Sequence, residues 1–79
     1  MNNLNLARNL DKARYVRHFE EVGIVMAWYG GYGVNVFDAQ TGQEMDVFHP
    51  FDMGQSRESI TVDAVDQAMK EHLQYLLEG

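Results

Sequence analysis

The stretch Ile24-Val25-Met26-Ala27-Trp28-Tyr29-Gly30-Gly31-Tyr32-Gly33-Val34-Asn35-Val36-Phe37 decides the fold. β-Branched and aromatic residues dominate it and glycines punctuate its middle, the pattern of strands joined by tight turns. The spacing predicts strands over residues 24–29 and 32–37 on either side of Gly30-Gly31, a pair that supplies the positive φ angles of a two-residue hairpin turn. Asp38-Ala39-Gln40-Thr41-Gly42 then turns the chain into a third strand over 43–48. Pro50 ends that strand, because proline cannot donate to a ladder.

Working outward, Ala13, Val16, Phe19 and Val22 recur every three residues with charges between them. That spacing predicts a first helix, capped by Asp11 and ending near Gly23. Before it, Leu4, Leu6 and Leu10 stand among Asn2, Asn3, Asn5 and Asn9. Residues 1–10 therefore read as an extension of this helix or as a separate N-terminal arm, asparagine favouring caps and turns over helix interiors. On the C-terminal side, residues 51–58 carry Asp52, Gly54, Gln55 and Ser56 and read as a loop. Thr61 is a good N-cap for a last helix, and Val62, Val65, Met69, Leu73 and Leu76 share one face of it. The expected fold is α+β in two layers: a three-stranded antiparallel sheet flanked by an N-terminal and a C-terminal helix, in the order α-β-β-β-α, as one domain over residues 1–79.

Register decides which side chains are free to meet a partner. A four-residue loop between the second and third strands sets Val36 opposite Met45, Asn35 opposite Asp46, Val34 opposite Val47 and Gly33 opposite Phe48. Val34, Val36, Met45 and Val47 then form the core face; Asn35, Phe37, Glu44, Asp46 and Phe48 form the other. A two-residue turn at Gly30-Gly31 pairs Ala27 with Val34, Val25 with Val36 and Trp28 with Gly33, adding Ile24, Met26 and Trp28 to the second face. A three-residue loop slips the register by one and sends Met26 and Trp28 to the core instead. With two helices on one side, the second face keeps aromatic rings beside Asp46 and Glu44, and large apolar patches rimmed by polar groups mark interaction sites. The alternative is internal cover: the helices take opposite faces, or the N-terminal arm folds over the sheet.

Composition narrows the class. Seventy-nine residues, 46% of them hydrophobic, make a small globular chain and not a disordered tail. The absence of cysteine removes disulfides and thiolate zinc sites. No apolar run approaches the roughly 20 residues of a membrane span, and Met-Asn-Asn-Leu-Asn-Leu lacks the basic-then-apolar order of a signal peptide, so a cytoplasmic location is expected. The net charge of −6 is unevenly placed: residues 1–22 hold four bases against three acids, the remainder two bases against nine. A field of that sign repels phosphate backbones, so direct nucleic-acid binding is not expected; it suits a basic protein surface, or serves solubility alone.

No motif points to catalysis. Gly30, Gly31 and Gly33 do not form a phosphate loop, because a strand follows them where a helix start is needed and the loop's lysine is missing. His18 with Glu21 shares a helix face at i, i+3, but no His-Glu-x-x-His element exists, and His72 lies beside Ala68 and Leu76 on the packed side of its helix; no metal or other cofactor is expected. Nucleophilic catalysis needs a base within reach of a hydroxyl, and Thr41, Ser56, Ser59 and Thr61 all have turn or cap roles instead. Glu20-Glu21 and Glu44-x-Asp46 pair carboxylates without a cleft to split their pKa values. The chain reads as a non-enzyme.

The acidic hairpin Asn35-Val36-Phe37-Asp38-Ala39-Gln40-Thr41-Gly42-Gln43-Glu44-Met45-Asp46-Val47-Phe48, in a cysteine-free small domain with two short helices around one sheet, resembles in general build the phage and mobile-element inhibitor proteins of the anti-CRISPR type. The resemblance implies a stoichiometric inhibitor that occupies a basic, nucleic-acid-binding surface of a host protein, with no catalytic residues. The residues themselves nominate Asp38, Glu44, Asp46 and Asp52 as the field and Trp28, Tyr29, Tyr32, Phe37 and Phe48 as the anchors. The rival reading is a homodimeric structural or adaptor protein that packs its second sheet face or its edge strand on its own copy.

Overall fold

The computed structural model describes residues 4–79. Its elements are α1 (Leu4–Leu10), β1 (Tyr15–Phe19), β2 (Ile24–Trp28), β3 (Val34–Asp38), β4 (Glu44–Phe48), a 3-10 turn at Arg57–Ser59 and α2 (Val62–Glu78). Asn2 and Asn3, read above as cap or turn residues, lie outside the described residues. The four strands form one antiparallel sheet in the order β1-β2-β3-β4. The chain is thus α+β, with four strands where three were expected and with a helix on each side of the sheet instead of two on one side.

The fourth strand comes from the segment whose spacing predicts a first helix. Tyr15 pairs with Trp28, Arg17 with Met26 and Phe19 with Ile24. The three-residue recurrence that suggests one helical face is divided by the pleat. Ala13 and Val16 pack with Leu6, Val25, Ala27 and Phe37 beneath α1, whereas Phe19 and Val22 pack with Met26, Trp28, Val65 and Met69 beneath α2. A strand sends successive side chains to opposite faces, and Tyr15, Val16 and Phe19 suit it better than a helix interior. Gly23, at φ 67, completes the turn into β2.

The β2–β3 register is the slipped one. Met26 pairs with Val36, Ala27 with Asn35 and Val25 with Phe37, so residues 29–33 form a five-residue loop and Gly30-Gly31 is not a two-residue turn. Trp28 holds this loop in place: its Nε1–H donates to the carbonyl of Gly31 at 2.7 Å while its ring stays 4% exposed. At β3–β4, Val34 pairs with Phe48, Asn35 with Val47 and Val36 with Asp46, one residue away from the expected pairing. An irregularity between Val36 and Phe37 then brings Phe37 opposite Glu44.

All five residues of β2 are buried, the mark of a central strand covered on both faces. Thr61 caps α2 by accepting from the Ala64 amide at 3.1 Å, and Val65 and Met69 are fully buried against the sheet. Burying side chains of that size stabilises by about 1.5–3 kcal/mol each. Val62 and Leu76, expected on the packed face, are exposed, because α2 meets the sheet mainly through its middle turns.

Candidate protein interface

β2 and β3 occupy the middle of the sheet, which leaves β4 as an outer strand. Glu44, Met45, Asp46 and Val47 are all exposed, and only Phe48 is half-buried. An outer strand presents unpaired backbone groups to solvent. Here the amide of Val47 donates to the adjacent Asp46 carboxylate at 2.8 Å. Glu44 stands on the α1 side, where an open cleft of ≈ 390 Å³ is lined by Arg8, Asp11, Lys12, Tyr29, Phe37 and Glu44 among others. Asp46 stands toward α2 and acts on His72 there.

The nine nominated residues do not form one patch. Trp28 and Phe37, expected as exposed anchors, are buried on opposite faces of the sheet, because the slipped register and the helix on each side enclose both rings. Tyr32 is half-buried, and its hydroxyl donates to the Gln55 carbonyl at 2.7 Å. Tyr29 is 37% exposed, with its hydroxyl donating to the Asn9 carbonyl. Burial, and secondarily the charge of Glu44, raise its pKa. Phe48 stacks on His72 with ring centroids 3.8 Å apart.

Asp38 is committed to its own turn. Its carboxylate accepts from the amides of Gln40 at 2.8 Å and Thr41 at 3.0 Å, and the bonds from Thr41 and Gln40 hold its pKa below the usual carboxylate range. The Asp52 carboxylate likewise accepts from the Gly54 amide, at 2.9 Å. Of the nominated acids, Glu44 makes no such turn bond and Asp46 accepts from the Val47 amide alone; neither pairs with a base among the described residues.

Two features escape a reading of the sequence. Met45 and Val47, expected in the core, are 58% and 40% exposed on β4. Asp66, which no motif singles out, joins α2 to β1: its carboxylate accepts from the Tyr15 hydroxyl at 2.6 Å and from Arg17, and Lys70 lies 3.2 Å away. These donors hold its pKa at about 2. Its helical spacing to Lys70 is visible in the sequence, but its partners on β1 depend on a strand whose apolar spacing suggests a helix.

No group of three potential metal ligands occurs among the described residues, and no helix among them is long and apolar enough to cross a membrane. Comparison of the chain with protein families, with curated proteins and with solved structures finds no match.

Proposed function

We propose that the chain is a protein-binding module that acts in the cytoplasm as a stoichiometric inhibitor, laying β4 on a basic, nucleic-acid-binding surface of another protein. One observation supports this reading: Glu44 and Asp46 are exposed without basic partners on an outer strand, interleaved with the exposed apolar side chains of Met45 and Val47. Unpaired carboxylates favour arginine and lysine across an interface, and apolar groups between them supply burial. Self-association through the same strand is disfavoured, since pairing β4 with its own copy brings four carboxylates together.

The test is a pull-down from nuclease-treated bacterial lysate with the native chain and with a Glu44→Lys, Asp46→Lys double variant, followed by added nucleic acid as competitor. Recovery of a nucleic-acid-binding protein by the native chain alone, reversed by the competitor, is the expected result. Equal recovery by both chains, or retention in the presence of competitor, rejects the electrostatic interface.

A further inference from the structure

Away from β4, the chain brings together two arginines that its overall charge gives no reason to expect. Arg14 precedes β1 and Arg57 begins the 3-10 turn, yet both line one open cleft of ≈ 500 Å³ with Tyr29, Gly30, Gly31 and Glu58. Both arginines are exposed, and neither pairs with a carboxylate among the described residues, whereas Arg17 and Lys70 both pair with Asp66.

The walls of the cleft are fixed. The Arg14 amide donates to the Trp28 carbonyl at 2.8 Å, and its guanidinium lies 5.9 Å from the centroid of the Trp28 ring. Gly30 makes room for this side chain, since a Cβ there would stand 2.9 Å from Arg14 Nη1. On the other wall, the Ser56 hydroxyl caps the Glu58 amide at 3.2 Å and the Ile60 amide closes on the Arg57 carbonyl at 3.1 Å. The Tyr32–Gln55 bond ties the loop bearing Gly30 and Gly31 to the segment that leads into Arg57. The Arg14 guanidinium, set against the Trp28 ring, loses little freedom when it binds an oxyanion, and arginine matches phosphoryl oxygens with paired donors.

We infer that the Arg14–Arg57 cleft binds the phosphoryl group of a small molecule. Its positive charge comes from two distant segments, unlike a phosphate loop, whose lysine belongs to the glycine-rich motif itself. Glu58 also lines the cleft; its carboxylate is engaged by the Ser56 hydroxyl and opposes the anion. The site therefore prefers one phosphoryl group to a longer polyanion. Tyr29 offers a partly exposed ring beside it, a surface for a planar group attached to the phosphate.

The experiment is a titration of the full chain, at constant ionic strength, with inorganic phosphate, adenosine monophosphate and adenosine, read from the backbone amide resonances of Gly30, Gly31 and Arg57. Saturable shifts with phosphate and with the monophosphate, but not with adenosine, are expected. A tighter monophosphate assigns the ligand as a nucleotide, and equal affinities assign the phosphoryl group alone. Arg14→Gln and Arg57→Gln each weaken binding about tenfold, and Glu58→Gln strengthens it severalfold, all three keeping the native amide spectrum elsewhere. The absence of saturable shifts with either phosphate, or unchanged affinities in both arginine variants, overturns the assignment.

Discussion

Phe48 of β4 and His72 of α2 lie face to face, their rings 3.8 Å apart at the centroids and 10° from parallel. Tyr75 stacks beyond His72 at 5.7 Å, and the buried His72 Nε2 has no hydrogen-bond partner among the described residues. The ring thus fastens β4 to α2 as a neutral aromatic. Protonation would place a charge in this stack, where the carboxylate of Asp46 offers compensation.

Burial accordingly lowers the His72 pKa below 6.5, with Asp46 opposing the shift. The unfolded chain takes up this proton first as pH falls, so stability is full above about pH 6.5 and declines as pH drops through the folded-state value. Denaturant unfolding at pH 7.5 and pH 5.5 measures the decline, and a His72→Phe variant, which keeps the stack and removes the titration, flattens it. An equal slope in the variant excludes His72 as the source.

Asp66 acts in the opposite sense and at lower pH. Its folded-state pKa of about 2 lies below the ordinary 3.8, so its contribution is present above pH 3.8 and is lost as pH falls through about 2. Asp66→Asn keeps the size and removes the charge that holds Tyr15, Arg17 and Lys70. It costs about 1–2 kcal/mol at pH 7 and little at pH 2, measured as the difference between urea midpoints at the two pH values.

Two glycines separate backbone freedom from space. At both Gly23 and Gly31 a Cβ would meet no atom within 4 Å, but only Gly23 has a positive φ, at 67. Gly23→Ala therefore costs about 1 kcal/mol from backbone conformation alone, and Gly31→Ala is neutral or stabilising by about 0.5 kcal/mol. Equal urea midpoints for the two variants would contradict this assignment.

Once a partner is in hand, the two kinds of side chain on β4 have separable kinetic signatures. Glu44→Lys with Asp46→Lys lowers the association rate about tenfold at low salt, and the deficit shrinks as ionic strength rises. Met45→Ala leaves association nearly unchanged and speeds dissociation. Surface plasmon resonance across a salt series resolves both, and a salt-independent association rate in the native chain counts against steering by these acids.

Some parts of this structure are readable in the sequence. Thr61 and the Val65, Met69 and Leu73 spacing locate α2, and the glycine-punctuated aromatic run locates β2 and β3. β1 is hidden because Arg17 and His18 break its apolar alternation, while a three-residue recurrence arises by coincidence from residues on two faces. Its pairing with β2 is a tertiary matter that local periodicity does not carry. The sign that both faces of the sheet are covered is present in the uninterrupted apolar run of β2, since a half-exposed strand alternates. The register depends on Trp28 bonding to Gly31, a choice between two turns that local preference ranks the other way. Of the nominated interface, Glu44 and Asp46 are legible as acids on a hairpin. The burial of Trp28 and Phe37 follows from the register and is not.

The meander has a bearing on how the molecule assembles. Each strand pairs only with its neighbours in sequence, so every rung of the sheet closes over a short loop and gives up little chain entropy before contacts form. The bond from Tyr15 to Asp66, by contrast, spans 51 residues and requires α2 to be seated. Assembly can therefore proceed as hairpins zipping side by side, with the helix arriving last to lock the first strand to the final element of the chain.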